Sequence, residues 1–199
     1  MNKSSRTVVL ASASPRRREL LEQIGLTPVV RSADIDETPL STENTSDYVR
    51  RLSLGKAEKI AGQATAHEVV IGADTVIDYN GQIMGKPASL EQCIDMLSQL
   101  SAQTHRVLTG VTVIGDSLVE SQVVGTDVSM REITEAEIRA YWHTGEPQGK
   151  AGSYAIQGRG ARFVKGISGS YSNVVGLPLF ETATMLAGYG IRFDEPGAS

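Results

Sequence analysis

The sequence predicts a mixed α/β fold, a twisted sheet flanked by helices on both faces. Three observations carry that expectation. Strand-like and helix-like stretches alternate along the chain, and hairpin signals interrupt the alternation. One stretch, Val69–Ile77, is apolar almost throughout, the pattern of a strand covered on both sides. A length of 199 residues fits one sizeable domain, residues 1–199, with room for two lobes but not for two independent cores.

Thr7–Ala11 reads as a short buried strand. Ser12–Pro15 breaks it, and Arg16–Ile24 reads as a helix with Leu20, Leu21 and Ile24 on one face, stopped by Gly25. Val29 and Val30 form a second strand before an acidic loop, Asp34-Ile35-Asp36-Glu37. A helix from about Ser46 to Ala61 carries Tyr48, Val49, Leu52, Ile60 and Ala61 as its apolar positions. After the central strand, Asn80-Gly81 signals a hairpin. Ser89 opens a third helix, with Gln92 completing a capping-box pattern and Leu90, Cys93, Ile94, Leu97 and Leu100 on one stripe. Strands follow at Arg106–Ile114 and Val119–Arg131, and Thr134 with Glu137 gives a second capping box before a helix through Trp142. Gly149–Gly176 holds many glycines and short β-like runs. Leu179–Ala187 is the last helix, stopped at Gly188, and the tail Asp194–Ser199 is expected to be loose.

Composition narrows the functional classes. Aromatics make up 5% and the formal net charge is -4, which argues against a base-stacking platform or a duplex-binding surface. A polyanionic ligand would need its basic contacts concentrated in a pocket. The single cysteine, Cys93, excludes an internal disulfide framework and a multi-cysteine zinc site, and its helical setting reads as a small buried hydrophobe. The apolar stretch Val8–Ala11 is too short for a signal-peptide core, and no uninterrupted apolar run approaches the roughly 20 residues that span a bilayer. A cytoplasmic protein with no membrane partner is expected.

Two segments carry chemistry. Ser14 suits an N-cap and Pro15 the first helical position, yet Arg16, Arg17 and Arg18 then crowd the positive end of the helix dipole. Backbone N–H groups, hydroxyls and guanidinium groups there would cradle phosphate; alternatively the arginines point into water or pair with Glu19 and Glu22. The second segment is Asp74, a carboxylate inside an apolar strand, costly to bury unless it is paired, protonated or metal-bound. It would hold Mg²⁺ or activate a water, or else be a hydrogen-bonded strand-end residue. Asp34, Asp36 and Glu37 are further acids in a loop that would ordinarily be solvated, and Lys56 and Lys86 are candidate phosphate cations. Gly81–Pro87 is one residue short of a P-loop and has Pro87 where a magnesium-binding hydroxyl belongs; Gly158-Arg159-Gly160 lacks a third glycine; His67, His105 and His143 have no metal-ligand spacing.

Taken together, Leu10-Ala11-Ser12-Ala13-Ser14-Pro15-Arg16-Arg17, Gly72-Ala73-Asp74-Thr75 and Gly85-Lys86-Pro87 resemble motifs of the Maf family of nucleotide pyrophosphatases. Thr126-Asp127-Val128, Ala151–Gly158, Gly169-Ser170-Tyr171 and Val175–Leu179 extend the likeness in family order over nearly the whole chain. The resemblance implies a fold like that of inosine triphosphate pyrophosphatases, with two lobes and a central cleft, and cleavage between the α- and β-phosphates. It implies a general-base role for Asp74 and substrate selectivity at Arg16, Thr75 and Gln157. Ser12, Arg17, Lys56 and Lys86 match substrate-binding positions, and Glu37 with Asp74 matches the metal positions, for Mg²⁺ or Mn²⁺. A homodimer is implied as well. Thr75 and the Ala-Ile-Gln-Gly segment around Gln157 look like the dTTP and UTP branch rather than the 7-methyl-GTP branch. That assignment brings modified pyrimidine triphosphates into range, and with them a role in limiting incorporation of modified nucleotides.

Three other functions compete. One keeps the chemistry on 7-methyl-GTP or purine triphosphates. Another is a non-catalytic nucleotide sensor that arrests septum formation and cell division, a role the family's name suggests. Asp74 argues against it, because a phosphate-binding cleft gains little from an unpaired carboxylate. The third, a nucleic-acid module, conflicts with the acidity and the scarcity of aromatics.

Overall fold

The computed structural model describes residues 6–193. The tail at Asp194–Ser199 lies outside the described residues.

The central sheet is mixed, as expected. Strand β1 (Thr7–Leu10) runs parallel to both β2 (Val29–Val30) and the start of β3 (Glu68–Tyr79). At Asn80 (φ 53°) and Gly81 (φ 78°) the chain makes the left-handed turn that the Asn-Gly pair favours, and β4 (Gln82–Met84) folds back on the end of β3. On the other side of β3 come β5 (Thr104–Gly115), β6 (Leu118–Met130) and β7 (Val164–Ser168), each antiparallel to its neighbour. Among the described residues the sheet order is β2-β1-β3-β5-β6-β7, with β4 attached only to β3.

One face is covered by α2 (Thr45–Ala61), whose N-cap is Asn44, accepting from the Asp47 N–H at 2.9 Å. Val70 and Val76 of β3 face this helix and join apolar clusters with Ala57 and Ile60, and with Tyr48, Val49 and Leu52. Glycines let α2 sit close: a Cβ on Gly72 would strike the Ser53 carbonyl and come within 2.7 Å of the Ala57 nitrogen. One on Gly110 would strike the Val49 carbonyl. No other residue type fits between that helix backbone and the sheet.

The other face carries two apolar clusters. In one, Leu20 and Leu21 of α1 (Pro15–Gln23) and Met185 and Leu186 of α6 (Leu179–Gly188) pack on Ile71, Ala73, Val111 and Val113. In the other, Cys93 and Leu97 of α3 (Leu90–Leu100) and Ile138 and Tyr141 of α4 (Glu135–Trp142) pack on Ile77, Val107 and Val128. Ile156 touches both clusters, and a pocket opens between them at Thr75 and Val107. This arrangement agrees with the expected two lobes and cleft.

Three local expectations are corrected. Ser14 stands at the N-cap of α1, but its hydroxyl makes no cap bond. At α3 the Ser89 hydroxyl does accept from the Gln92 N–H, yet the Gln92 side chain accepts from Ala88 rather than Ser89, so the box is only half formed. Between Gly149 and Gly176 the runs read as β-like yield two 3₁₀ turns (Ala151–Ser153 and Arg159–Phe163), a single strand β7, and a helix α5 (Tyr171–Val175) capped by Ser170. Left-handed backbone at Gly149, Gly152, Ser153, Gly169 and Gly176 keeps resetting the chain direction, which defeats any strand or helix period.

Candidate functional site

The site follows from a gap in the sheet. On one edge of β3, β1 covers Glu68–Ile71 and β4 covers Ile77–Tyr79; among the described residues, Gly72–Val76 between them pair only with β5. The C-terminal end of β1 runs into this gap and continues directly into α1, the place where parallel strands commonly present ligands.

On the α2 side of the gap stands Asp74, 7% exposed. The Lys56 ammonium, carried by α2, lies 2.6 Å from Asp74 Oδ1 and 2.6 Å from Glu37 Oε1. A lysine this buried is tolerated because two carboxylates meet it. Glu37 is drawn in by its own loop: the Tyr48 hydroxyl donates to the Glu37 carbonyl at 2.8 Å, and Arg51 bonds both Glu43 and the Thr38 carbonyl. Burial pushes the Glu37 carboxyl up, but Lys56, Lys86 and Arg17 together take it below the usual carboxylate range. The acidic loop is therefore not uniformly solvated. Asp36 binds Thr38, capping its N–H at 2.9 Å, and Asp34 offers its carbonyl to Lys59.

On the opposite side of β3 lies Thr75. Its hydroxyl accepts from Arg17 Nη2 at 3.1 Å and contacts Thr109 Oγ1 at 2.9 Å. Arg17 is buried and fully engaged, donating also to the Gly176 carbonyl at 2.8 Å and to Ser12 Oγ at 3.0 Å. Burial lowers its pKa; Asp74 opposes that, Arg16 adds to it, and Glu37 opposes it. The three arginines thus part company. Arg17 turns inward, Arg16 lines the pocket with Thr75 and Gln157, and Arg18 pairs with Glu22 on the surface at 3.3 Å. Lys86 is exposed, electrostatically coupled to Glu37, on a segment fixed by the bond from the Gly152 N–H to the Gly85 carbonyl at 3.0 Å. The structure therefore gathers Ser12, Arg17, Glu37, Lys56, Asp74 and Lys86 around the gap, and Arg16, Thr75 and Gln157 at the pocket.

Sequence reasoning missed the supports of that pocket. The Glu146 carboxylate accepts from the Tyr141 hydroxyl at 2.6 Å and from the Arg159 and Gly160 N–H groups at 2.9 Å each. The Tyr141 hydroxyl in turn accepts from the Ala155 N–H at 3.1 Å. Together they pin both ends of the loop that carries Gln157. Glu146 lies eleven residues upstream in an unpatterned stretch, so no periodicity announces it. His105 is buried, with Nε2 2.8 Å from the Tyr154 hydroxyl, and burial pushes its pKa down to about 4. Cys93 is buried as expected.

The donor set suits a hard divalent cation. Asp74 and Glu37 converge on one ammonium, so both carboxylates already face a common point of positive charge. Among the described residues no group of three His, Cys, Asp or Glu side chains gathers. A cation here would complete its shell with phosphate and water oxygens, as Mg²⁺ commonly does. No helix among the described residues is long and apolar enough to cross a membrane.

The chain is also similar to proteins already known. The chain is 50% identical over 191 residues to the dTTP/UTP pyrophosphatase of Colwellia psychrerythraea, covering 94% of this chain and 90% of that one. It is 48% identical over 183 residues to the dTTP/UTP pyrophosphatase of Pseudoalteromonas atlantica, covering 90% and 95%. Among solved structures it is similar to the Staphylococcus aureus Ham1 protein, at 19% identity and a TM-score of 0.44, covering 65% of this chain and 73% of that one. The mixed sheet is defined by its own strand pairing. The Maf profile, described as Maf-like protein, matches residues 7–189, and the chain belongs to the Maf family.

Proposed function

We propose that the protein is a nucleoside triphosphate pyrophosphatase that hydrolyses dTTP and UTP to the monophosphate and diphosphate, with modified pyrimidine triphosphates as further substrates. The observation that carries the reading is Lys56, whose ammonium holds Asp74 and Glu37 together at the gap in the sheet. The names of the relatives, at 48% to 50% identity, support the choice of base. The family resemblance adds a homodimer, and the short apolar runs of the sequence add a cytoplasmic setting.

The triphosphate lies in the gap, with the nucleoside in the pocket on the Thr75 side. Lys56 occupies Asp74 Oδ1 and leaves Oδ2 to orient a water and take its proton as it attacks the α-phosphorus. Arg17, Lys56 and Lys86 offset the charge that develops on the departing diphosphate, a contribution of position and electrostatics rather than of covalent chemistry. Held by Asp74 and Glu37, Mg²⁺ or Mn²⁺ would supply Lewis-acid polarisation of phosphate oxygens. Arg16, Thr75 and Gln157 orient the nucleoside.

The test is pyrophosphate release from a triphosphate panel with Mg²⁺ or Mn²⁺, comparing the intact protein with Asp74→Asn. Release from dTTP and UTP that is lost in the variant is expected. A preference for 7-methyl-GTP would overturn the base assignment, and binding without turnover of any triphosphate would overturn the enzyme.

A further inference from the structure

The cations of the site divide into two groups. Lys56, Lys86 and Arg17 act on Glu37, at the gap. Lys150 stands apart from them: its charged neighbours are Arg16 and Glu146. It lines the pocket on the Thr75 side, together with Gln157, Tyr154 and the apolar side chains of Ile77 and Val107. Burial pushes its ammonium pKa down, Arg16 pushes the same way, and Glu146 pulls it back up. Its hydrogen bond to the nearby Gln148 carbonyl is 3.4 Å, at the outer limit of such contacts. With three donors and one long bond, the Lys150 ammonium keeps hydrogen-bonding capacity beyond Gln148.

Two other polar groups of the pocket already have partners. The Tyr154 hydroxyl bonds His105, and the Thr75 hydroxyl bonds Arg17 and Thr109. Lys150 carries three donors and no acceptor, while the Gln157 amide offers one of each kind. A base edge that meets this pair must therefore present an acceptor to the ammonium. Uracil and thymine do so, with a carbonyl at position 4 beside the N3–H. Cytosine has an amino donor at position 4 and a bare N3. A carbonyl would form a charge-assisted bond, whereas an amino group would meet the ammonium donor to donor.

We propose that Lys150 determines specificity: its ammonium donates to the 4-carbonyl of a uracil or thymine base in the pocket and rejects cytosine. This rests on the pyrimidine triphosphate reading of the site given above. Gln157 complements it by accepting from N3–H, and Ile77 and Val107 supply the apolar surface against which the ring lies.

The experiment compares UTP, CTP and 2-pyrimidinone riboside triphosphate, which lacks any group at position 4, as substrates of the intact protein, Lys150→Met and Lys150→Arg. The intact protein is expected to prefer UTP over both others. Lys150→Met should lower kcat/KM for UTP by about ten- to a hundredfold, the loss of one hydrogen bond to a charged group, leave the 2-pyrimidinone analogue nearly unchanged and raise CTP toward it. Lys150→Arg should keep the preference for UTP. A fall of equal size on all three substrates would assign the cation to phosphate and overturn the proposal. So would an intact protein that uses UTP and the 2-pyrimidinone analogue equally well, a result that needs no variant to fold. An intact protein that cleaves no pyrimidine triphosphate would overturn the parent reading, which separates that failure from this one.

Discussion

Asp74 and Thr75 are neighbours in sequence but point to opposite faces of the sheet, Asp74 toward Lys56 at 2.6 Å and Thr75 toward Arg17 at 3.1 Å. Strand alternation alone produces this division. Because β3 has no partner among the described residues on one edge at this point, both side chains reach the same opening from either side of the strand. Carboxylate chemistry and nucleoside contact are thereby separated by one peptide unit.

Mutation should separate them too. Asp74→Asn is expected to lower kcat by about a hundredfold or more with little change in KM, the scale of losing a general base. Thr75→Val removes an acceptor from buried Arg17 and should act mainly on KM. Steady-state kinetics on dTTP decides, and a Thr75→Val defect confined to kcat would contradict the division.

Lys56→Met would leave the Asp74 and Glu37 carboxylates facing one another without their shared counter-charge. Removing one partner of a buried pair destabilises by about 3–5 kcal/mol, and the half-exposed Glu37 places the expected loss near the lower end. Mg²⁺ should recover more stability in this variant than in the parent, measured as the change in urea midpoint on adding the ion. An equal response in both proteins would mean that the two carboxylates do not form a cation site.

Gly72→Ala tests the seating of α2. The added Cβ meets helix backbone, which cannot move aside as a side chain can, so a loss of about 1–3 kcal/mol is expected together with reduced turnover as Lys56 is displaced. Gly166→Ala, where a Cβ meets nothing within 4 Å, serves as the near-neutral comparison. Chemical denaturation of both variants gives the answer.

His105 makes stability depend on pH. Its folded pKa is held at about 4 by burial, below the ordinary value near 6.5. The unfolded chain therefore binds the proton first as pH falls. Stability from this group is fully present above about pH 6.5, declines by up to about 1.4 kcal/mol per unit between there and pH 4, and levels off below. Denaturation midpoints across that range should show the slope, and His105→Asn should remove it.

Glu146→Ala should release the Gln157 loop. Three hydrogen bonds to one carboxylate are lost, two of them from backbone N–H groups at Arg159 and Gly160. Hydrogen exchange at those two amides is expected to quicken by at least about tenfold, with KM for dTTP rising in parallel. Unchanged protection at Arg159 and Gly160 would remove Glu146 from this role.

Much of this arrangement was legible in the sequence, for physical reasons that differ from place to place. The run Val69–Ile77 announced a strand covered on both sides, and one carboxylate within it announced a site. Thr134 with Glu137 gave a true capping box because both halves of its reciprocal bond are local. Arg16, Arg17 and Arg18 announced an unusual helix start, but not that they would take three separate environments, which depends on residues as distant as Gly176. Glu146 was illegible because two of its three partners are backbone N–H groups, which leave no mark on composition. The third, the Tyr141 hydroxyl, sits in a helix read only from its capping box. Five-residue α5 is too short to show a helical period, and the glycine-rich stretch around it could not be assigned by pattern.

The ladders of the sheet also imply an order of assembly. Strands β5 and β6 are joined by a turn at Asp116 and Ser117 and pair continuously from Gly115–Leu118 to Thr104–Ser129, so each contact closes a short loop. The pairing of β1 with β3 joins Val9 to Val70, and it must close a far longer loop before it gains anything. The long hairpin is thus the natural seed, and the opening beside Asp74 is defined only when β1 docks. Partial unfolding should run the same course backwards, erasing nucleotide binding while the hairpin amides are still protected. The protein can then lose its chemistry to a local excursion without losing its fold.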